Sequence, residues 1–130
     1  MNASPLDGLR VLLMEDEFLI AMDVEQLCRD HGAADVTIAQ TIDALGPDPF
    51  AGDPFHVAIL DVRLAGHTTI DFARQLAERG IPFIFATGYA DGNGTFEALH
   101  QSIDSFEVVI KPYGSEDLMG ALTRAISRKK

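Results

Sequence analysis

The sequence predicts an α/β fold in which a parallel sheet is covered by helices on both faces. Short, almost wholly apolar runs alternate with stretches of helical period, as in a repeated strand-helix unit. Strands that are apolar throughout are typical of parallel sheets, because both faces of such a sheet are buried. Five units can be read in the 130 residues, without an internal repeat or a linker. We therefore expect one domain over residues 1–130, with a core of about 9–127.

The strands and the first helix follow from these apolar runs. Strands are predicted over residues 10–14, 36–39, 57–60, 82–86 and 108–110. The first helix ends at Gly32, a residue type that commonly terminates helices. Its buried stripe is predicted from spacings of three and four as Phe18, Ala21, Val24, Leu27 and Cys28.

The remaining connections differ in how strongly they predict a helix. Thr41 is a candidate N-cap, but three prolines follow it before residue 55, so this second helix must be short or broken. The third helix ends at Gly80, and the last begins at Ser115 with acidic residues in its first turn. The buried stripes are predicted as Ile70, Ala73, Leu76 and Ala77 for the third helix, and Leu118, Ala121, Leu122, Ala125 and Ile126 for the last.

The fourth connection has the weakest helical pattern. Glycines stand at positions 88, 92 and 94, and each costs a helix up to about 1 kcal/mol relative to alanine. The apolar stripe beyond them, Phe96, Leu99 and Ile103, is sparse. We expect residues 90–103 to be the least protected segment before any activation.

Charge and composition exclude several classes of protein. The net charge is −10, with four of the ten basic residues at positions 124–130, so an acidic body disfavours direct binding of nucleic acid. No apolar run reaches the ~20 residues that span a bilayer, and the N-terminus lacks a signal-peptide pattern, so we expect a cytoplasmic protein without membrane contact. Cys28 is the single cysteine, which excludes an internal disulfide.

Polar residues follow four of the five predicted strands. Glu15 and Asp16 come after the first strand, Asp61 after the third, Thr87 after the fourth and Lys111 after the fifth. Carboxyl ends of parallel strands share one edge, where ligands of such sheets bind. Close carboxylates are stabilised by a divalent cation, and oxygen ligands suit Mg²⁺. An aspartate beside the metal can attack phosphorus, with the lysine and threonine stabilising the transferred group.

Taken singly, each of these residues has a more ordinary interpretation. Acids before a helix are commonly caps or helix-dipole partners, and a lysine before a proline is commonly a solvated loop residue. Their convergence on one edge of one predicted sheet favours the functional interpretation.

Four segments resemble the receiver domains of two-component response regulators, the CheY-like family: LRVLLMEDE, HVAILDVRL, FIFATGY and VVIKPYG. The resemblance covers nearly the whole chain. It implies a flavodoxin-like (βα)5 three-layer sandwich with sheet order 2-1-3-4-5. It also implies that Asp61 is the phosphoacceptor, that Glu15, Asp16, Asp61 and the Arg63 backbone carbonyl hold Mg²⁺, that Thr87 and Lys111 complete the site, and that the bond from Lys111 to Pro112 is cis.

The family's function implies a stand-alone response regulator that accepts a phosphoryl group from a sensor histidine kinase. It would signal by contact with a downstream protein, or pass the phosphate on as a phosphorelay partner. We expect no enzymatic activity beyond its own phosphorylation and dephosphorylation.

Two positions depart from the family pattern. Ala65 stands where a proline is usual, which predicts a looser loop, and Val108 replaces the aromatic that usually moves with the threonine. The FATGY stretch, residues 85–89, resembles a bacterial subgroup that lacks this aromatic and pairs with HWE-type histidine kinases.

Three other classes of protein are compatible with parts of this pattern. An FMN carrier would share the fold, but Glu15, Asp16 and Glu17 would repel its phosphate. A phosphatase of the haloacid dehalogenase type normally has an acid where Arg63 stands. A degenerate receiver, which binds proteins without phosphorylation, remains open and is separated by a phosphodonor assay with and without Mg²⁺.

Overall fold

The structure is a computed structural model that describes residues 4–87, 106–111 and 113–129. The strands are β1 (Arg10–Met14), β2 (Asp35–Ala39), β3 (Val57–Asp61), β4 (Arg63–Leu64), β5 (His67–Thr68), β6 (Phe83–Thr87) and β7 (Glu107–Ile110). The helices are α1 (Phe18–Asp30), α2 (Ile70–Glu78) and α3 (Ser115–Lys129), with a 3₁₀ helix at Asp43–Leu45. The predicted fourth helix and Pro112 lie outside the described residues.

One five-stranded parallel sheet organises the molecule. Its order is β2-β1-β3-β6-β7, which confirms the predicted order 2-1-3-4-5 when β6 and β7 are counted as its fourth and fifth strands. Each of these strands begins and ends within one residue of its predicted position. The flavodoxin-like α/β fold is therefore confirmed.

The sheet is buried on both faces. Alternate side chains of the strands point to opposite sides, as the pleat requires. The α1/α3 core includes Val11, Leu13, Val57, Ile59, Ile84, Ala86 and Val109 together with residues of α1 and α3. The α2 core includes Leu12, Met14, Ala58, Leu60, Phe83 and Phe85 together with residues of α2 and of the segment before β3. Helices thus cover both faces, as a three-layer sandwich requires.

Two predicted helix stripes need correction. Phe18 is 63% exposed, because it begins α1 beyond the end of β1, and the buried stripe of α1 starts only at Ala21. In the predicted stripe of α2, Ala77 is exposed. Phe72, which was not predicted to be in the stripe, is buried together with Leu76. The buried stripe thus keeps Ala73 and Leu76 and includes the larger Phe72 in place of Ala77.

The predictions for the second helix, the end of the first helix and the last helix are confirmed. The second helix is reduced to the 3₁₀ turn, where the Thr41 hydroxyl accepts a hydrogen bond from the Ala44 N–H at 3.1 Å, one residue before the formal cap. Helix α3 begins at Ser115, and its predicted stripe packs in the α1/α3 core. Gly32 follows α1 with a φ of +91°, which permits the left-handed turn.

A short hairpin was not predicted. Strands β4 and β5 pair antiparallel, with Arg63 opposite Thr68 and Leu64 opposite His67. Ala65 and Gly66 form the two-residue turn with φ values of +51° and +86°, as in a type I′ hairpin turn. The structure thus places a folded hairpin where the missing proline suggested a looser loop; looseness relative to the family stays a prediction.

Over the described ranges, none of the helices has the length and apolar character needed to cross a bilayer.

Candidate functional site

Three carboxylates meet at the carboxyl edge of the sheet. Strands β1 and β3 are parallel neighbours, with Met14 opposite Leu60, so the residues that follow these partners are adjacent. Glu15, Asp16 and Asp61 each offer an oxygen within 4.8 Å of the others. The convergence predicted from the sequence is therefore present.

Glu15 is the most buried of the three, with only 2% of its surface exposed. Its N–H donates to the Ala39 carbonyl at 3.1 Å, which continues the pairing of β1 with β2. One carboxylate oxygen, Oε2, accepts from the Glu17 N–H at 3.1 Å. The other, Oε1, lies 2.5 Å from the Lys111 ammonium nitrogen. Both oxygens of this buried carboxylate are therefore hydrogen-bonded.

Lys111 follows β7 at the same edge of the sheet and contacts two of the carboxylates. Its Nζ donates to Glu15 Oε1 and also to Asp61 Oδ2 at 3.1 Å. Its main-chain N–H donates to the Thr87 carbonyl at 2.8 Å, which holds the lysine against the end of β6. Burial lowers the pKa of Lys111, but hydrogen bonds and charge from Glu15 and Asp61 outweigh it and raise the pKa overall. The ammonium is thus fixed in its charged form.

Asp61 ends β3, and its carboxyl has a raised pKa. Burial raises the pKa of Asp61 to about 6, with the Glu15 charge adding to the rise and Lys111 opposing it. Its Oδ1 accepts a long hydrogen bond, 3.4 Å, from the Arg63 N–H. This half-buried carboxylate thus has one oxygen on the Lys111 ammonium and the other weakly bound, an arrangement that suits a carboxylate nucleophile.

Asp16 is exposed and is held by the hairpin. Its Oδ2 accepts a hydrogen bond of 2.8 Å from the Ala65 N–H at the β4–β5 turn. The positive φ of Ala65 aims this N–H toward the acid, so the turn orients Asp16. One carboxylate oxygen of Asp16 is thereby engaged by the protein, and the other accepts no hydrogen bond from the residues that the structure describes.

The two remaining predicted residues lie at the same edge. Thr87 is buried at the end of β6, one residue beyond Ala86, which is the register partner of Asp61. Arg63 begins β4 two residues after Asp61, and the role of its carbonyl stays a prediction. Val108 lies half-buried on β7, in register with Phe85, at the position of the missing aromatic.

Sequence reasoning missed Thr69, which is completely buried behind the site. Its hydroxyl donates to the main-chain carbonyl of Asp61 at 2.7 Å. The available signal was a threonine directly before a helical pattern, which ordinarily predicts a helix cap. Tyr113 is a second group near the site: burial, together with the charges of Glu15 and Asp61, raises the pKa of its phenol.

The donor set fits a hard divalent cation. It consists of carboxylate oxygens, and Mg²⁺ commonly takes one or two carboxylates while keeping several waters. When all groups are ionised, the single charge of Lys111 leaves two negative charges uncompensated in the cluster. Asp16 is exposed, so a hydrated ion has access from solvent. Glu15, Asp16 and Asp61 are the side chains that would hold Mg²⁺ here.

The fold and this carboxylate edge are typical of one class of signalling domain. Residues 11–123 match the family model of the response regulator receiver domain. The chain belongs to this family, whose members take part in two-component signalling with kinases and downstream partners.

Curated relatives match most of the chain. The transcriptional regulatory protein PdtaR of Mycobacterium tuberculosis is 29% identical over 123 residues, which is 92% of this chain and 57% of the relative. Nodulation protein W of Bradyrhizobium diazoefficiens is 28% identical over 122 residues, or 92% of this chain and 52% of the relative. The chain therefore spans little more than half the length of these relatives.

Solved structures agree with the fold. A receiver domain protein from Clostridium thermocellum superposes with a TM-score of 0.74 at 24% identity, covering 93% of this chain and 96% of the other. A response regulator receiver protein from Sinorhizobium medicae gives a TM-score of 0.78 at 20% identity, covering 96% of this chain and 99% of the other.

Proposed function

We propose that this receiver accepts a phosphoryl group on Asp61 from a histidine kinase. The observation that carries the proposal is the meeting of Glu15, Asp16 and Asp61 within 4.8 Å, with Lys111 bonded to the first and the last. A carboxylate oxygen of Asp61 attacks the phosphorus of a phosphohistidine, so an O–P bond forms. The P–N bond breaks, and the imidazole nitrogen keeps the electron pair and takes up a proton.

The surrounding residues stabilise the charge that moves. Mg²⁺ held by Glu15, Asp16, Asp61 and the Arg63 carbonyl would neutralise oxygens of the transferring group. The Lys111 ammonium, 3.1 Å from Asp61 Oδ2, lies where a phosphoryl oxygen on that carboxylate would need a positive charge. The Thr87 hydroxyl would donate to a second phosphoryl oxygen. The main chains of these two residues are joined, because the Lys111 main-chain N–H donates to the Thr87 carbonyl at 2.8 Å.

The output is proposed to be a protein contact. The net charge of −10 on the chain disfavours nucleic acid as the direct partner and leaves a downstream protein or a phosphorelay partner. We assign the chain to the FATGY-type subgroup, since Val108 stands on β7 where the family's aromatic is usual. An HWE-type sensor kinase is accordingly the proposed phosphodonor. Purified HWE-type kinases should then transfer phosphate to this protein faster than purified kinases of other types. We propose that the domain catalyses only its own phosphorylation and dephosphorylation.

Phosphodonor labelling tests the chemistry. The wild type is incubated with phosphoramidate with and without MgCl₂, and intact mass reports a gain of one phosphoryl group that hydroxylamine removes. We expect labelling that needs Mg²⁺ and is lost in Asp61→Asn. Asp35→Asn is the matched control, because Asp35 begins β2 at the opposite end of the sheet. Unlabelled wild type would support the degenerate receiver, and undiminished labelling of Asp61→Asn would place the phosphate elsewhere.

A further inference from the structure

Thr69 ties the start of α2 to the end of β3. Its side chain has no exposed surface, and its hydroxyl lies 2.7 Å from the Asp61 carbonyl and 3.4 Å from the Val62 carbonyl. Its N–H donates to the Val62 carbonyl at 2.9 Å. The side chain of Thr69 is therefore bonded to the last residue of β3, and its main chain to the residue that follows the strand.

This use of the hydroxyl differs from the local role of such a residue. A threonine directly before a helix ordinarily accepts a hydrogen bond from a free N–H of the first turn. Thr69 makes no such side-chain bond to α2. Its hydroxyl instead donates backward, across the β4–β5 hairpin, to Asp61. Because this buried hydroxyl bonds to Asp61 instead of capping the helix, we look for its role at Asp61.

The bond fixes the peptide group that follows the proposed phosphoacceptor. A carbonyl held at 2.7 Å sets the plane of the peptide between Asp61 and Val62, and this plane sets the direction of the chain into Arg63. The Arg63 N–H then reaches back to Asp61 Oδ1, while Oδ2 faces Lys111. The orientation of both carboxylate oxygens thus depends on how the chain leaves β3.

We infer that Thr69 is a positioning residue for the phosphoacceptor: through its hydroxyl bond to the Asp61 main chain it holds the carboxylate in line for attack and for metal binding. The inference rests on the proposed phosphorylation of Asp61. The Thr69 carbonyl also accepts from the Ala73 N–H at 2.9 Å, so the residue that positions Asp61 is the one from which α2 begins.

The test compares substitutions that keep or remove the hydroxyl. Thr69→Val removes it with nearly unchanged shape, Thr69→Ala removes it without adding an apolar group, and Thr69→Ser keeps it. Thr123→Val is the matched control, because the Thr123 hydroxyl makes a bond of similar length, 2.8 Å, to the Met119 carbonyl on α3, away from the site. Initial rates of labelling by phosphoramidate are measured against MgCl₂ concentration, at a temperature where circular dichroism shows each variant fully folded.

We expect Thr69→Val and Thr69→Ala to be labelled roughly tenfold or more slowly than wild type, as is typical when a partner that orients a reactive ligand is removed. Thr69→Ser should restore the rate to within about threefold of wild type, and Thr123→Val should leave it unchanged. In the unphosphorylated protein, the carbonyl carbon of residue 61 and the amide of residue 63 should shift in Thr69→Val and not in Thr123→Val.

Two results overturn the inference. One is a folded Thr69→Val or Thr69→Ala variant labelled at the wild-type rate at every MgCl₂ concentration; the other is a Thr69→Ser variant as slow as Thr69→Ala. Loss of thermal stability without loss of rate gives Thr69 a structural role only. Failure of the proposed function is a different observation, since wild type itself would then remain unlabelled.

Discussion

Replacing Lys111 with methionine removes the charge from the centre of the site while keeping the length of the side chain. The lysine side chain is 14% exposed, and the side chains of its partners Glu15 and Asp61 are 3% and 14% exposed, so solvent screens these pairs weakly. Removing one member of a buried ion pair costs about 3–5 kcal/mol. The carboxyl left without its cationic partner can take up a proton instead, and this limits the loss of unfolding free energy. Protonating a carboxyl of ordinary pKa costs about 3.7 kcal/mol at pH 7. We expect Lys111→Met to lose about 3 kcal/mol of unfolding free energy at neutral pH.

Urea denaturation followed by circular dichroism measures this loss and its cause. A cycle of Lys111→Met, Glu15→Gln and the double variant isolates the pair, since Glu15→Gln removes the charge that the lysine neutralises. The double variant should recover most of the stability lost by Lys111→Met. Mg²⁺ should stabilise Lys111→Met more than wild type, with a gain of about 1.4 kcal/mol once its concentration is ten times the dissociation constant. A Lys111→Met variant as stable as wild type, or losses that add in the double variant, would refute the reasoning.

Three further expectations test other parts of the molecule. Asp16→Asn should weaken Mg²⁺ binding about tenfold or more by removing a negatively charged ligand, and a titration followed by amide shifts should show it; unchanged affinity excludes Asp16 as a ligand. Burial opposes the ionisation of Glu107, but hydrogen bonds from two arginines of α3 lower its pKa below the ordinary 4.5, so its ionisation stabilises the fold above that pH. Glu107→Gln should therefore cost about 1 kcal/mol at pH 7, and this difference from wild type should shrink as the pH falls through the lowered pKa of Glu107, because the wild-type carboxyl then takes up a proton. Urea denaturation at a series of pH values from 7 downward measures the difference, and a difference that stays constant with pH contradicts the prediction. Gly32→Ala should lower the melting temperature more than Gly80→Ala, although both have positive φ, because only at Gly32 would the added Cβ lie 2.8 Å from an Asp7 oxygen; equal losses contradict this.

The sheet could be predicted from sequence because its strands are short, continuous and apolar. Runs such as residues 57–60 have no polar residue, so their burial on both faces and their end at Asp61 are evident from the pattern. The carboxylate cluster followed from the topology alone, since the ends of β1 and β3 must be adjacent in a parallel sheet.

The remaining features depend on tertiary context. The β4–β5 hairpin has two residues in each strand, too few for an alternating pattern, and it places Ala65, an unlikely residue for positive φ, in its turn. Helix α2 turns Phe72 rather than Ala77 toward the sheet, because ring volume fills the space beside Phe50, whose centroid is 5.3 Å away. Phe18 fits the helical period but lies beyond the sheet that would cover it.

The burial of β3 on both faces has a consequence for strand alignment. Ile59 packs in the α1/α3 core and Leu60 in the α2 core, so a shift of β3 by one residue would exchange two apolar side chains of similar size. Hydrophobicity therefore resists such slippage weakly. The shift would also carry Asp61 about 3.3 Å along the strand, into the dry position that Leu60 now holds, away from Lys111. The acid thus pins the register of the strand that carries it. An apolar substitution at this position releases the strand as well as removing the carboxylate, whereas Asp61→Asn keeps a polar group there and separates the two effects.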